Sequence, residues 1–381
     1  MIILEKPYIS EEMKQYLEQS QEPVLRNETA LEAKGYALNL FEDRAFIDLC
    51  RRGHKIYTAS ENALDWIYRN LPENPVITWI NQTKDKVVFR KLLQPMYPDF
   101  FFLEVQAEEL KNLDFSMLKT PFILKPSVGF FSVGVYTVYT KSDWDEALGD
   151  IEKNMKSRGD EYPDTVVAMT TFILEKYIEG EEYAIDAYFG EDREAVIVNI
   201  MKHDFVSETD VSDRLYYTGK EIIETWLEPF TQFLDDVNRI LGAKNFPVHM
   251  EVRVKDGLIL PIECNPMRFA GWCTTDLTYF AFGFLTYEYY LQGIIPDWNK
   301  LLQNKDGKLY TMILLNKPAD GPEAESFDYD ALTVRFKKVI HLRRMDFTVF
   351  PLFGFLFTET DASQRGELDA VMRSDLTEYI N

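Results

Sequence analysis

Apolar and polar positions alternate with two periods along the first 82 residues. "MIILE" reads as a strand, "SEEMKQYLEQ" as an amphipathic helix and "EPVLR" as a second strand. "HKIYTAS" then leads into the helical "ENALDWIYRNL", with Ser60 placed to cap it. Such alternation predicts a small layered α/β unit, and its turns lack the spaced glycines of a dinucleotide fingerprint, so we assign it no nucleotide of its own. "KDKVVFRKLLQ" predicts a helix with Val88 and Leu92 among its apolar positions. The chain then turns β-rich from Pro121 to Phe189, packs a helix over Phe230 to Leu241 and returns to strands at Val248 to Cys264. From Tyr310 onward strands mix with a last acidic helix, "GELDAVMRSDLTEYI"; the apolar "FTVFPLFGFLF", Phe347 to Phe357, is half a membrane span and reads as core strands.

Three stretches carry chemistry. In "FILKPSVGFFSVGVYTV", Phe122 to Val138, two strands flank a loop holding Gly129 and Gly134, with Lys125 just before it. Glycine lets backbone N–H groups approach a ligand, and runs of such donors bind phosphate. Val135 and Tyr136 stand where a Walker A loop needs Lys and Ser/Thr, which rejects that motif; a hairpin with a snorkelling surface lysine is the plain alternative. "FILEKYIEGEEYAIDAYF", Phe172 to Phe189, predicts a strand pair around Glu179-Gly180-Glu181, with Glu175 and Glu182 able to serve an adenine edge and ribose hydroxyls, or simply a solvated acidic turn.

In "VHMEVRVKDGLILPIECNP", Val248 to Pro266, Lys255-Asp256-Gly257 fits a three-residue hairpin loop. That register pairs Val254 with Leu258 and sets Glu251 opposite Pro261, diagonal to Glu263. One face then holds His249, Glu251, Arg253, Ile259, Pro261, Glu263 and Asn265, and the other is apolar. Carboxylates so close repel unless one is protonated or a cation lies between them, and an oxygen-only donor set favours Mg²⁺. A solvated face with Arg253 neutralising one glutamate is the alternative.

Composition narrows the picture. The chain has 381 residues, 46% apolar, and a net charge of −22 from 41 basic and 63 acidic residues, which argues against nucleic acid or anionic membrane as partner. Cys50, Cys264 and Cys273 form no CxxC pair, which suits a reducing cytoplasm, and the N-terminus shows no signal-peptide pattern. His54, His203 and His341 build no HxxxH motif, and His249 reads as a structural hydrogen-bonding neighbour.

Taken in order, "DKVVFRKLL", "FILKPSVGFFSVGV", "LEKYIEGEEY", "HMEVRV" and "PIECNP" resemble the ATP-grasp superfamily over about Asp85 to Gly293. The resemblance implies an α/β chain (with α+β elements): residues 1–82 a small Rossmann-like α/β domain, 83–300 the ATP-grasp domain with a lid at about 116–178, and 301–381 a C-terminal mixed segment. That segment matches no motif and is left with two roles, packing on the N-terminal unit or making a homodimer contact.

By the same resemblance Lys86 and Lys125 would meet ATP phosphates under a loop carrying Ser127, Gly129, Ser132 and Gly134. Glu175 would meet the adenine amino group through a hinge of Lys176, Tyr177 and Ile178, with Glu182 on the ribose. Glu251, Glu263 and Asn265 would bind Mg²⁺, with Mn²⁺ as an alternative ion. Many family ligases place an arginine two residues after the metal-binding asparagine; here Met267 holds that place and Arg268 follows, so Arg268 takes the catalytic role, beside Lys125, only if the turn shifts by one.

The implied reaction joins a small carboxylate to an amine through an acyl phosphate, releasing ADP and phosphate. Substrate contacts are expected in "MKHDFVSETDVSDRLYYTG" (His203, Asp210, Asp213, Arg214, Tyr216), at Arg253 and in "MRFAGWCTTD". Two other readings stay open: a kinase or carboxylase relative, and a non-catalytic nucleotide-binding subunit.

Overall fold

The structure is a computed structural model that describes residues 1–129, 134–157, 170–207, 213–318, 321 and 324–381. The first unit alternates β1 (Ile2–Ile3), α1 (Glu11–Ser20), β2 (Val24–Leu25), α2 (Glu28–Glu32), β3 (Leu40–Phe41), α3 (Asp43–Arg51) and β4 (Tyr57–Thr58). Its strands are all parallel in the order β3-β2-β1-β4, the arrangement that helical crossovers produce. Ser10 caps α1 by accepting from Met13 N, and Met13, Tyr16 and Leu17 bury one helical face. Ser60 accepts from Asn62 N and starts a 3₁₀ turn that runs into α4 (Leu64–Asn70).

Two helices, α5 (Val76–Lys84) and α6 (Lys86–Leu93), lead out of this unit, with Asp85 capping α6 through Val87 N and Val88 N. The buried face of α6 is Val87, Phe89, Arg90 and Leu93, whereas the apolar Val88 is 39% exposed. A small sheet follows in the order β5-β8-β6-β7, formed by β5 (Phe102–Gln106), β6 (Phe122–Pro126), β7 (Tyr136–Val138) and β8 (Thr171–Lys176). With α7 (Lys141–Ser157) it has its own core around Phe122, Leu124, Trp144 and Phe172. The predicted β6–β7 hairpin is present, pairing Phe122 with Val138.

The large sheet has eight strands in the order β13-β12-β9-β10-β11-β14-β16-β15. Its members are β9 (Glu181–Phe189), β10 (Ala195–Asp204), β11 (Leu215–Thr218), β12 (Phe246–Lys255), β13 (Leu258–Pro266), β14 (Lys308–Asn316), β15 (Val339–Arg344) and β16 (Leu352–Asp361). Helix α8 (Lys220–Leu241) packs on β10, and α9 (Leu277–Phe282), α10 (Thr286–Gln292) and α11 (Trp298–Leu301) join β13 to β14. Beyond them α12 (Tyr329–Thr333) and α13 (Gly366–Arg373) flank the last strands. The C-terminal segment therefore completes the large sheet, and its Arg343 reaches Glu12 of α1 at 3.7 Å.

Two sequence expectations change. Glu175 and Glu182 do not share a hairpin: β8 belongs to the small sheet and β9 to the large one, so residues 177–180 bridge two sheets. Gly180 makes that crossing feasible, because at φ +122° a Cβ there would lie 2.3 Å from Val254 O. The β12–β13 turn is also two residues long, with Asp256 at φ +52° and Gly257 at φ +79°, the pair of left-handed residues a tight hairpin requires. Val254 therefore pairs with Ile259, and a bulge at Ile262 resets the ladder so that Glu251 stands directly opposite Glu263.

Candidate active site

Carboxylates and cations from helix α6, the small sheet and the large sheet converge where α6, β6, β8, β12 and β13 meet. Lys86 opens α6 and places Nζ 3.0 Å from Glu263 Oε2. Its backbone N–H donates to Ser127 O at 2.8 Å, tying α6 to the start of the glycine loop. Asn265 Nδ2 donates to Glu263 Oε1 at 3.0 Å, and Glu251 receives His249 Nε2 at 3.5 Å. His249 Nδ1 lies 2.7 Å from Asp186, which is fully buried; burial works to lower the imidazole, but Asp186 and Glu251 outweigh it and push its pKa up to about 9.

The two facing glutamates differ in charge preference. Burial and then the charge of Glu263 push the Glu251 carboxyl up, against His249. At Glu263 burial has the same sense, yet Lys86 and Lys125 overcome it and hold the carboxyl well below its usual range. Oxygen donors in this arrangement fit Mg²⁺, which would relieve the repulsion that raises Glu251. Among the described residues no three His, Cys, Asp or Glu side chains group as a metal site, so an ion held by Glu251, Glu263 and Asn265 would complete its shell with ligand oxygens.

Lys125, on β6, is 5% exposed and places Nζ 2.6 Å from Glu175 Oε1. Arg90 Nε meets the other oxygen at 2.6 Å. Glu175 thus has partners other than the adenine amino group expected for it: both oxygens hold cations, because it lies buried on β8 facing α6 and β6. Along the hinge, Lys176 N and Tyr177 N donate to Phe101 O and Pro121 O at 3.0 and 3.4 Å, and Ile178 O accepts from Arg253 Nη1 at 2.6 Å. Glu182 is held by Arg253 Nε and His203 Nδ1, each at 2.9 Å, and His203 stacks on Tyr216 with centroids 4.1 Å apart.

Arg214 Nη1 donates to Val371 O and Ser374 O at the end of α13, where helix carbonyls attract a cation. Gly134 has φ +77°, a conformation that favours glycine, while Gly129 has ordinary space around it. Ser132 and Asp210 lie outside the described residues.

Arg268 is the predicted catalytic residue whose position depended on the turn after Asn265. Met267 adopts φ +66°, and the chain turns so that the Arg268 side chain meets Glu61, with Nη2 at 2.6 Å and Nε at 3.2 Å from Oε1. Lys84 binds the other oxygen of Glu61. Sequence reasoning passed over Arg90, Glu61, Lys84 and Asp186. Only Arg90 carried a usable signal, since it stands four residues after Lys86 on one helix face.

Residues 118–276 match the family model of an ATP-grasp domain. A comparison with curated proteins found no match. Among solved structures, the chain is similar to L-amino acid ligase from Bacillus licheniformis, at TM-score 0.72 and 18% identity over 100% of this chain and 97% of that one. It is also similar to N5-carboxyaminoimidazole ribonucleotide synthetase from Thermotoga maritima, at 0.61 and 13% over 97% and 96%. For biotin carboxylase from Campylobacter jejuni, a βγ-ATP complex, the values are 0.61 and 12% over 94% and 87%.

Proposed function

We propose that the chain, whose residues 118–276 match the ATP-grasp domain model, is an ATP-dependent carboxylate–amine ligase working through an acyl phosphate. The observation that carries this reading is the Lys86–Glu263 ion pair at 3.0 Å beside Glu251 and Asn265. A phosphate lysine and an oxygen-donor pair stand together as separable charges, and a Mg²⁺-triphosphate would satisfy both. When bound, Mg²⁺ would neutralise phosphate charge there.

Lys86 and Lys125 would exchange carboxylate partners for phosphate oxygens, while Gly129 and Gly134 would offer backbone N–H groups and Ser127 its hydroxyl. Glu182, Lys176, Tyr177 and Ile178 would border the nucleoside. A substrate carboxylate oxygen attacks the γ-phosphorus as the bond to the β-bridging oxygen breaks and ADP leaves, with Arg268 facing the transferred charge. The amine nitrogen then attacks the acyl carbon, the carbon–oxygen bond to phosphate breaks, and the nitrogen loses a proton to give the amide.

The relative with the highest TM-score quoted above is named for L-amino acids, so amino acids are the first substrates to try. We place the reaction in the cytoplasm, where three unpaired cysteines stay reduced. The likeness to biotin carboxylase keeps a carboxylase relative as the second reading. A substrate carboxylate labelled with ¹⁸O tests the route: one label should appear in inorganic phosphate for each amide formed, and amide made without label transfer would overturn the acyl phosphate.

A further inference from the structure

We infer that Glu61, from the N-terminal unit, is a positioning residue that holds Arg268 in place for phosphoryl transfer; this rests on the ligase reading above. Three neighbouring residues of that unit grip three consecutive residues after β13. Tyr57 OH accepts from Phe269 N at 3.4 Å, Thr58 N donates to Met267 O at 2.9 Å, and Glu61 takes two N–H groups of Arg268. Thr58 Oγ1 adds a second bond to Met267 O at 3.2 Å. The left-handed Met267 inserts one residue before the arginine, and the Tyr57–Glu61 segment is the template that fixes where the guanidinium then lies.

The side-chain chemistry agrees with a positioning role. Arg268 and Glu61 are 14% and 12% exposed, and Lys84, 22% exposed, supplies a second cation to the same carboxylate. Arg268 Nη1 donates to Phe269 O at 2.9 Å, so the guanidinium is oriented on two sides and keeps further N–H donors for a ligand. Glu61 touches no expected ligand atom itself. It acts through Arg268, and Lys84 on its other oxygen keeps the acid fully paired.

The test is the ratio of dissociation constants for ADP and a non-hydrolysable ATP analogue, which reads contacts to the γ-phosphate. Glu61→Gln should reduce the wild-type preference for the triphosphate by about tenfold, as expected when a charge-assisted orienting bond is lost. In an Arg268→Gln background the same change should do nothing further, since Glu61 works only through that residue. An unchanged ratio in Glu61→Gln, or an equal loss in the Arg268→Gln background, would overturn the assignment. Glu61→Asp, which keeps the charge on a shorter side chain, serves under the same criterion if Glu61→Gln does not fold. A crystal structure of the folded variant separates this inference from the ligase reading. A displaced Arg268 guanidinium supports it and an unmoved one overturns it, whereas failure of the wild type to bind nucleotide counts against the proposed function alone.

Discussion

Replacing Arg90 with methionine probes how the buried charges between α6 and the small sheet are balanced. Glu175 is 2% exposed, and its two oxygens lie 2.6 Å from Arg90 and 2.6 Å from Lys125. Burial alone would raise its pKa, yet the two cations hold it at about 2 against an ordinary 4.5. At about 1.4 kcal/mol per tenfold, that difference corresponds to roughly 3 kcal/mol. Taking Arg90 away leaves a buried carboxylate with one partner, so the variant should lose about 3 kcal/mol in a urea titration near neutral pH. The sign with pH follows from the depressed folded value: this contribution is present above about 4.5 and disappears as pH falls toward 2. The variant should therefore show a shallower loss of stability across that acid window. Nucleotide binding gives a second reading, because a triphosphate at Lys125 would compete with Glu175 for its charge, and Arg90 keeps the acid balanced meanwhile. Affinity for Mg-ATP should fall about tenfold, the scale of one charge-assisted contact. A stability loss under about 1 kcal/mol together with unchanged affinity would refute the reasoning.

Two further substitutions separate structural from ligand-binding roles. Gly180→Ala places a methyl 2.3 Å from Val254 O at φ +122°, so it should lower stability by about 2 kcal/mol or more, read as a reduced urea midpoint. Glu251→Gln removes one of two repelling carboxylates while leaving Lys86–Glu263 intact. Its stability should change by less than about 1 kcal/mol, whereas the Mg²⁺ concentration needed for half-maximal nucleotide binding should rise about tenfold or more.

Much of this organisation was legible in the chain. The βα alternation of residues 1–82, the Phe122–Val138 hairpin and the Val248–Pro266 strand pair follow from periodicity, which reports directly which face is buried. The Glu251–Glu263 pairing was nearly so, but its register depended on a bulge at Ile262 that alternation does not encode. Sequence alone makes Glu175 and Glu182 hairpin neighbours, because a glycine between two strand-like runs marks a turn and a sheet-to-sheet crossing equally well. What separates the two is the close approach of Val254 O, a contact 74 positions away in sequence from Gly180. Glu61 was invisible for a different reason: an acid just after a capping serine is ordinary helix-start chemistry, and its partner lies 207 residues on. Arg214 is a parallel case, a charged residue in a polar loop that reaches carbonyls at the end of α13 some 160 positions away.

The most direct measurement is ADP release from Mg-ATP, screened over pooled amino acids and small carboxylates, with Glu263→Ala as control. The account predicts turnover that requires both a carboxylate and an amine, yields an amide in step with ADP, and vanishes in the variant. ADP release that needs no amine, or that persists in Glu263→Ala, would contradict it.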